Sequence, residues 1–423
     1  MPQRDFDAII VGGRIAGCME AGCLSRAGFR TLIIEQATLP RDTVSAPVMY
    51  GDALVMLDSI GAGAVIDGLG LPKIRRVRKI WADRAISGYL LPVGGRDYGY
   101  GTPRALIDKA LLDHVRTLPS VTVREGFTAR RILWEDGRTV GIEGYAAGGS
   151  DQPERFFADI VVGADGIRSF TAREVGARVY RSDPPNQFHY YAFFEDFDSL
   201  DEPELTVNQS SPHQTIITFE VGQNLMAVSW MPAARLYDNI RGRHDEAYTA
   251  AWQSIPELRE RGRRARRVTK LMGRLPTNTF FRQPWGPGWA LVGDAAYYTD
   301  PNGGRGFYDA LRGAELLAHA FAQYRRGRPW DEAMRVFQTV RDFEYEPSYR
   351  YVRAMADRDA PRTAEMERLL DAAESNPAII ELLLSIHHGV DVARFAGAPR
   401  LPLAMEYPPI TPLPVGVSER DSG

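Results

Sequence analysis

The sequence predicts an α/β protein in which a parallel-sheet domain is interrupted by an inserted antiparallel sheet and followed by C-terminal helices. Three observations predict this fold. A strand, a glycine turn, a helix and a second strand occupy the first 35 residues, and apolar strand-like runs return at 160–163 and 289–294. Residues 178–275 alternate with a period of two and are rich in aromatics, as in FHYYAFFEDF. Since one core stops growing at roughly 250 to 300 residues, the 423-residue chain suits two interlocked domains.

The N-terminal elements form a predicted βαβ unit. Asp7–Val11 is expected as a buried strand, Cys18–Ala27 as a helix and Thr31–Glu35 as a second strand. The turn between strand and helix, Gly12–Gly17, reads GGRIAG. In the pattern GxGxxG the first glycine makes the tight turn, the second admits a pyrophosphate, and the third lets helix and strand pack closely. The unit therefore predicts a Rossmann-like dinucleotide-binding domain.

Two side chains near this turn, Arg14 and Glu35, bear on what it can bind. Arg14 replaces the second glycine, and its guanidinium can lie along a pyrophosphate beside the free N–H groups of the helix N-terminus. Glu35 ends the second strand, where a carboxylate accepts hydrogen bonds from ribose hydroxyls. Taken alone, the motif is also compatible with an α/β turn that binds nothing.

The next segments lead back to the same domain. Thr102–Leu118 has a helical pattern, and Thr128–Trp134 and Thr139–Tyr145 form a predicted hairpin around Asp136-Gly137. A third buried strand, Ile160–Gly163, then rejoins the parallel sheet. The dinucleotide domain is therefore predicted to be discontinuous.

Two aspartates follow buried strands. Asp165 stands in VVGADGIRS and Asp294 ends WALVGD, so both are expected at the crevice where open α/β sheets bind ligands. After Asp294, Gly303, Gly304 and Gly306 allow a backbone to approach a flat ring. The helix expected from about 306 to 324 would direct its positive N-terminus at that ring. The alternatives are a helix-capping role for Asp165 and a surface loop around the glycines.

Together these motifs resemble the group A flavoprotein monooxygenases, in their smaller two-domain subtype similar to para-hydroxybenzoate hydroxylase. The resemblance covers nearly the whole chain. It implies that the glycine turn and Glu35 bind the ADP part of FAD, that Asp165-Gly166 is the DG motif, and that Gly293-Asp294 is the GD motif. It places Arg104, in TPRALIDKALL, on the ribityl chain. The implied cofactor-binding set is Gly12, Gly13, Arg14, Ala16, Gly17, Glu35, Gln36, Arg41, Arg104, Asp165, Asp294, Pro301, Gly304, Arg305, Gly306 and Phe307.

The resemblance also implies a reaction. In that family NADPH or NADH reduces the flavin, O2 forms a C4a-hydroperoxide, and the distal oxygen passes to an electron-rich ring. The chain departs from the family where Tyr297 and Tyr298 follow GDAA, a place where relatives often carry histidine. FAD binding is expected to tolerate this change, which lies in the neighbourhood that the family couples to flavin movement and to the handling of NADPH.

The substrate is expected on the inserted sheet. Strands Gln187–Phe194, His213–Phe219 and Leu225–Met231 carry aromatics and methionines suited to a flat apolar ligand. Hydroxylation of a phenol requires an electron-rich ring, so groups that deprotonate or orient it are sought. The candidates are His189, Tyr191, His213 and Tyr298, although a lone histidine on a strand is more often structural. No arginine is clearly placed for a substrate carboxylate, which favours a larger neutral or phenolic compound.

The expected domain limits follow from these assignments. Residues 1–177 and 276–330 are expected to form the FAD-binding domain, and residues 178–275 the substrate domain, to which 73–100 could also contribute. Residues 331–400 are expected to form the C-terminal helices and 401–423 a tail.

The net charge of −3 suggests no polyanion partner, and the basic run 259–267 is expected to be a solvated helix face and not a nucleic-acid site. With no apolar stretch of ~18 residues, no signal peptide, no metal motif and two unpaired cysteines, a cytoplasmic protein without membrane or obligatory protein partner is expected.

Three other functions use similar sequence features. Flavin-dependent halogenases resemble the N-terminal half but carry WxWxIP and a catalytic lysine, whereas VSWMP holds only Trp230, and Lys73 lies in an ordinary LPKIRRV context. A flavin dehydrogenase or reductase that inserts no oxygen would use the same FAD motifs. A protein that keeps FAD as a structural part, while its pocket binds or cyclises a ligand without net redox chemistry, is the remaining alternative.

Overall fold

Two large β-sheets organise the chain. The computed structural model describes residues 4–45, 48–149, 152–222 and 224–388. Predictions beyond residue 388, which include the end of the helical region and the 401–423 tail, lie outside the described residues.

In chain order the strands are β1 Phe6–Val11, β2 Thr31–Glu35, β3 Val48–Met49, β4 Lys73–Ile74, β5 Arg76–Trp81, β6 Ala85–Tyr89, β7 Gly99–Gly101, β8 Val121–Glu125, β9 Phe127–Glu135, β10 Arg138–Ala146, β11 Glu154–Gly163, β12 Val179–Asp183, β13 His189–Glu195, β14 Glu204–Gln209, β15 Gln214–Glu220, β16 Met226–Pro232, β17 Arg266–Arg267, β18 Met272–Arg274, β19 Thr279–Arg282, β20 Trp285–Gly286, β21 Trp289–Leu291 and β22 Tyr297–Tyr298. The α-helices are α1 Ile15–Arg26, α2 Gly51–Asp58, α3 Gly63–Asp67, α4 Arg104–Arg116, α5 Phe170–Glu174, α6 Tyr237–Ile240, α7 His244–Gln253, α8 Pro256–Arg261, α9 Gly306–Arg325, α10 Trp330–Ala356, α11 Ala364–Glu374 and α12 Pro377–Ser385.

The first sheet has the order β20-β21-β11-β1-β2-β8, and its β21-β11-β1-β2-β8 part is parallel. Its strands are continuous apolar runs because both faces are covered. Ile10 and Ile33 pack towards α1 and α9 in one cluster, whereas Ile9 and Leu32 pack in another on the opposite face. The carboxyl ends of parallel strands meet at one edge. The predicted motifs after β1, β2, β11 and β21 are therefore brought together there.

The predicted hairpin attaches to this sheet through the pairing of β10 with β11. Asp136 and Gly137, at the tip between β9 and β10, have φ values of 48° and 75°. Two successive left-handed residues make a type I′ turn, whose twist matches that of the flanking strands. The Asp-Gly prediction is confirmed in both place and geometry.

The second sheet has the order β17-β13-β16-β15-β14-β5-β6, with β18 beside β13. The period-two pattern separates its faces: Tyr190 and Phe194 pack with α7 and α8, whereas Tyr191 and Phe193 turn inward. Strands β5 and β6, from the 73–100 segment, complete the sheet. The β14–β5 pair is parallel, because β5 comes from an earlier part of the chain and is not a hairpin partner.

The C-terminal helices cover both sheets. Helix α9 packs on α1 and α10, and α12 packs on β6 and α11. The basic run 259–267 is not a continuous helix face as expected, because α8 ends at Arg261 and Arg266–Arg267 forms β17. The run is largely exposed, and Arg264 and Arg267 pair with Asp198 and Asp245, so the surface is solvated and locally neutralised. Cys18 and Cys23 are free and buried. Within the ranges given above, no helix is both long and apolar enough to cross a membrane.

Candidate functional site

A cavity of about 1450 Å³ opens at the carboxyl edge of the first sheet and extends to the second sheet. Sites for a single small ligand usually enclose about 300 to 1000 Å³, so this volume can accommodate a dinucleotide and a second molecule. Most of the predicted cofactor residues lie on its wall: Gly12, Arg14, Ala16, Glu35, Gln36, Arg41, Arg104, Asp165, Asp294, Pro301, Gly304, Gly306 and Phe307. Segments distant in sequence thus converge on one trough.

The glycine turn between β1 and α1 requires glycine for steric reasons. A Cβ on Gly17 would lie 1.9 Å from the carbonyl oxygen of Gly12, and a Cβ on Gly12 would lie 2.4 Å from that of Ala164. Gly12 also has φ +113°, a conformation that other residues rarely adopt. Gly13 and Gly17 do not line the trough; their small size lets α1 approach β1 and β2. The N–H groups at the start of α1 are thereby presented to the cavity.

Glu35 and Arg14 are held in place on either side of this turn. The Glu35 carboxylate accepts hydrogen bonds from the N–H groups of Gly13 at 2.8 Å and Ala37 at 2.9 Å, so its position is fixed before any ligand binds. Arg14 pairs with Asp108 and donates to the carbonyl of Arg41 at 3.2 Å. The residue that replaces the second glycine is therefore an anchored cation at the mouth of the turn.

Asp108 was not singled out from the sequence, although it lies four residues after Arg104 on α4. Its fully buried side chain accepts from Arg104 at 2.9 Å as well as from Arg14. Two guanidiniums that line the trough, those of Arg14 and Arg104, therefore share the one carboxylate of Asp108 behind them, which leaves these three groups with a net positive charge. This arrangement suits a pyrophosphate. The i,i+4 spacing was the signal that could have identified Asp108.

The two predicted aspartates have different surroundings. Asp165 accepts hydrogen bonds from Ser169 Oγ at 2.5 Å and from the N–H of Thr171 at 2.8 Å, so it ties down the start of α5 while lining the trough. Asp294 is half-buried and has no hydrogen-bond partner among the described residues; burial raises the pKa of its carboxyl, an effect opposed by Arg274 and Arg104. An unpartnered carboxylate that faces the trough is suited to sugar or ribityl hydroxyls.

The glycine-rich loop after β22 forms a second part of the trough. Pro301–Gly303 makes a single 3-10 turn, Gly304 has φ +62°, and the 20-residue helix α9 begins at Gly306. A Cβ on Gly306 would meet no atom within 4 Å, so open space lies beside the start of α9. This space and the helix N-terminus fit the edge of a flat, electron-accepting ring. Together with the glycine turn, the cations and Asp294, the residues fit FAD.

Arg305 is placed differently from the expectation. It forms an ion pair with buried Asp52 at 2.5 Å, donates to the carbonyl of His387 at 3.2 Å, and does not line the trough. Its side chain connects the loop to α2 and to the C-terminal helices, whereas the neighbouring Gly304 and Gly306 face the trough. A role in shaping the loop accounts for its position better than a direct cofactor contact.

The four candidate catalytic residues do not converge. His189 lies on the trough wall, 3% exposed, with Nε2 2.6 Å from Ser229 Oγ, and burial lowers its pKa to about 3. Tyr298 lines the trough, and burial raises its pKa well above the usual range. Tyr191 lies beside the trough, where its hydroxyl donates to the carbonyl of Thr43 at 3.1 Å. His213 lies at the surface, in the turn between β14 and β15, and does not reach the cavity. Its Nδ1 is 2.5 Å from Oδ1 of Asp359.

Arg274 lines the trough where it meets the second sheet. Arg274, on β18 opposite His189, lies 5.0 Å above the ring of Tyr298, and its buried Nη1 has no hydrogen-bond partner in the described part of the chain. Arg274 is thus an arginine with a free donor on the trough wall, at a position that the sequence pattern did not indicate. No local motif marks Arg274, because it reaches the trough only through the pairing of β18 with β13.

Beyond the glycine-rich loop lies a second, small cavity of about 40 Å³. Its floor is the inner face of the second sheet, where Lys79, Val207, Ile217, Ser229 and Tyr191 align in one cross-strand row. The loop residues Pro301, Asn302 and Gly304 form its roof. The comparison with halogenase motifs points only to Lys73, which is exposed, and not to Lys79.

Comparison with known proteins agrees with this geometry. The FAD binding domain family matches residues 5–342. The chain is 26% identical over 81% of its length, and 84% of the relative, to the 6-hydroxy-3-succinoylpyridine 3-monooxygenase HspB of Pseudomonas putida. It is 21% identical over 75% of its length, and 76% of the relative, to a 1H-pyrrole-2-carbonyl peptidyl-carrier-protein chlorinase of Pseudomonas fluorescens. The solved flavin-dependent brominase Bmp2 superimposes with a TM-score of 0.77 at 17% identity, covering 91% of this chain and 94% of the other.

The expectation of a group A flavoprotein is thereby confirmed, as is the mixed α/β fold. The family match spans most of the chain and includes every motif that lines the trough. The chain therefore belongs to the FAD binding domain family and is an FAD-dependent oxidoreductase.

Proposed function

We propose that this flavoprotein hydroxylates an aromatic or phenolic small molecule with O2, using NADPH or NADH as the electron donor. The reaction balances as ArH + O2 + NAD(P)H + H⁺ giving ArOH + NAD(P)⁺ + H2O. Bound FAD supplies electron transfer and oxygen activation. The residues of the chain bind the cofactor, orient the ring and limit the access of water.

One observation carries the proposal. The trough is continuous from the glycine-rich loop to the aromatic side chains Phe280 and Tyr298, whose ring centroids are 6.1 Å apart. Aromatic walls favour a flat ligand through offset or edge contacts. A ring bound there would lie between the second sheet and the loop at the start of α9. We place the substrate in this part of the trough.

Arg274 supports a phenolic or otherwise acidic substrate. Its unpartnered Nη1 lies next to Tyr298, and an ionised oxygen of the substrate would satisfy that buried donor. A guanidinium at this point stabilises the phenolate, and the ring becomes more electron-rich. His189 is neutral at physiological pH, so we assign it a positioning role through Ser229.

Incubation with ¹⁸O2 tests the proposal. Purified protein, FAD, NADPH or NADH and a panel of phenols, hydroxypyridines and aromatic acids would be analysed by mass spectrometry. The expected product gains one ¹⁸O atom, with consumption of one equivalent of nicotinamide. Oxidised or reduced products without ¹⁸O would contradict hydroxylation and favour a dehydrogenase or reductase. Lack of any nicotinamide oxidation across the panel would contradict the electron donor.

A second candidate, halogenation, is favoured by Lys79. The small cavity places this amine across the loop from the flavin trough, in a space suited to a small reactive species and too small for a ring. The sequence similarity to the chlorinase and the fold similarity to the brominase also support this candidate. Repeating the panel with chloride or bromide distinguishes the reactions, since a halogenated product differs in mass and isotope pattern from a hydroxylated one.

A further inference from the structure

A buried carboxyl group, that of Asp300, lies on the trough wall directly before the glycine-rich loop. Asp300 is 3% exposed, and neither oxygen of its carboxyl group forms a hydrogen bond within the described part of the chain. Burial removes such a group from water, and without a new partner this loss is not compensated. The carboxyl group of Asp300 therefore requires either a structural reason or a ligand.

The usual structural reason for an aspartate at this position is helix capping. Asp300 occupies the N-cap position of the 3-10 turn Pro301–Gly303, where an aspartate ordinarily accepts a hydrogen bond from a backbone N–H of the first turn. Its side chain makes no such bond. Asp165, in contrast, has hydrogen-bond donors in Ser169 and Thr171. Capping thus explains Asp165 and leaves Asp300 available to a ligand.

The charges around Asp300 allow it to take up a proton near neutral pH. Burial raises the pKa of its carboxyl to about 7, against the opposing effects of the Asn186 backbone N–H and of Arg353 on α10. Arg353 donates to the carbonyl of Pro184 at 2.9 Å and to the hydroxyl of Thr279 at 3.0 Å, and forms no ion pair with Asp300 in the described structure. Asp300 is therefore a stronger base than an exposed aspartate.

Arg274 supplies the complementary group at the same end of the trough. Both residues line the cavity and act on Tyr298: burial raises the pKa of the Tyr298 hydroxyl, Asp294 and Asp300 add to this increase, and Arg274 opposes it. Asp300 presents an unpartnered acceptor and Arg274 an unpartnered donor, as far as the described residues show. One ligand hydroxyl satisfies both groups, since its O–H donates to Asp300 and its oxygen accepts from Arg274.

Two neighbouring groups are poorly suited to accept a proton from that hydroxyl. Tyr298 stays protonated at physiological pH, because burial raises its pKa well above the usual range. Burial and Arg274 lower the pKa of His189 to about 3, so its neutral imidazole is a weak base. An efficient general base has a pKa near the operating pH. Asp300 meets this condition and lines the same part of the trough.

We propose that Asp300 is the proton acceptor for a hydroxyl group of the aromatic substrate, with Arg274 bound to the oxygen that loses the proton. This inference rests on the proposed hydroxylase function and restricts its substrates to rings with an acidic hydroxyl. In the step, the substrate O–H bond breaks, its electron pair stays on the oxygen, and the proton passes to a carboxylate oxygen of Asp300.

The two side chains make this transfer favourable together. The negative charge moves from the carboxylate to the phenolate beside Arg274, so the total charge of the buried site does not change. A guanidinium next to a phenol makes the phenol a stronger acid, while burial makes the carboxylate a stronger base. The two pKa values therefore approach each other. The ring becomes electron-rich, as hydroxylation requires.

Binding of 4-nitrophenol to the oxidised, FAD-loaded protein tests the step without turnover. At a pH of about 8 the free probe is mostly phenolate, and Asp300, with a pKa of about 7, is mostly ionised. Two negative charges cannot share the site at low cost, so binding should take up a proton. Calorimetry in buffers of different ionisation enthalpy counts this proton, and the visible absorbance of the phenolate shows whether the probe or the protein carries it.

Wild-type protein is expected to take up about one proton per bound probe, with the probe in its phenolate form. Its affinity should fall about tenfold per pH unit above pH ~8, because each binding event then requires a scarcer proton. In Asp300→Asn the phenolate should bind Arg274 with no proton uptake and with an affinity that is constant over this range. Asp136→Asn, at the exposed hairpin tip, is the matched control and should behave as the wild type.

A second variant and a second probe complete the test. If Asp300→Asn does not retain FAD, Asp300→Ser replaces it. 4-Nitroanisole has no hydroxyl proton and should bind without proton uptake in every variant.

Three results would overturn the proposal: equal proton uptake in the wild type and the folded Asp300 variant, a bound probe that remains the neutral phenol in the wild type, or no saturable binding of 4-nitrophenol. Neither O2 nor a nicotinamide takes part. Failure here is therefore distinct from failure of the hydroxylase assignment, which the ¹⁸O2 experiment detects.

Discussion

The flavin trough and the small Lys79 cavity are both built from strand residues, but their side chains are brought together in different ways. In the trough, Gly12, Glu35, Asp165 and Asp294 each belong to a short segment that ends or follows a parallel strand. In the small cavity, Lys79, Ile217 and Ser229 come from three strands and meet only because the register of the sheet aligns them.

This difference explains which site was visible in the sequence. A loop that follows a parallel strand carries its turn, its ligand and its helix start within a few residues, so a local motif describes it. A cross-strand row has no such local pattern, since a shift of one residue in one pairing would move its members to opposite faces. The two regions should therefore also respond differently to substitution.

The largest effect is expected at the glycine turn. In Gly17→Ala the new Cβ would lie 1.9 Å from the Gly12 carbonyl oxygen, so backbone atoms must move. Such overpacking should cost about 3 kcal/mol or more in unfolding free energy. Gly306→Ala is the matched control, because its Cβ meets no atom within 4 Å. Denaturant unfolding of the two FAD-free variants measures their free energies of unfolding. Equal values would show that the turn has room for a Cβ on Gly17.

The next largest effect concerns FAD itself. Asp294→Ala removes a carboxylate that lines the trough without a protein partner in the described chain. Loss of hydrogen bonds to a charged group should raise the FAD dissociation constant about 10- to 100-fold. Flavin fluorescence titration measures this constant, and Asp294→Asn should lose less. A fully yellow, stoichiometric Asp294→Ala protein would refute the assignment of Asp294.

A pH-dependent effect is expected from Asp309 on α9, which lines the trough. Burial raises its pKa from an ordinary value near 3.8 to about 7, so the folded state holds the proton more tightly than the unfolded state does. The associated stability is complete below pH ~4 and is lost as the pH rises towards 7. Asp309→Asn should therefore raise the melting temperature of the FAD-free protein at pH 8 and change it far less at pH 4, near the ordinary pKa of an aspartate. Identical changes in melting temperature at pH 8 and pH 4 would contradict the raised pKa of Asp309.

The smallest effect is expected on the second sheet, at His189 on β13. Because the pKa of His189 is lowered to about 3, the imidazole stays neutral from pH 5 to 9. His189→Gln keeps a hydrogen-bonding group near Ser229, so the pH profile of ligand-stimulated nicotinamide oxidation should not change shape. Any decrease in rate should be far below the roughly 100- to 10,000-fold that a general base supplies. Loss of one limb of the profile would restore His189 as an acid–base catalyst.

The sequence could predict the parallel sheet, the Asp-Gly hairpin and helix α9 because each depends on local pattern. It could also locate Asp294 and the loop around Gly304, since strand and loop are adjacent in the chain. It could not predict that Asp108 joins Arg14 to Arg104, or that Arg274 lies beside Tyr298, because these contacts depend on packing between distant segments. The position of His213 was missed for the same reason: its turn faces Asp359 and not the cavity.

Anaerobic stopped-flow reduction tests the central claim most directly, which is that the trough holds an FAD that accepts electrons from a nicotinamide while a flat ligand occupies the aromatic end. The FAD-loaded protein would be mixed with NADPH or NADH, with and without a panel of phenolic and aromatic-acid ligands, and bleaching of the flavin absorbance followed. We predict that at least one nucleotide reduces the flavin and that a ligand from the panel accelerates the reduction. Flavin that neither nucleotide reduces, with any ligand, would contradict the account.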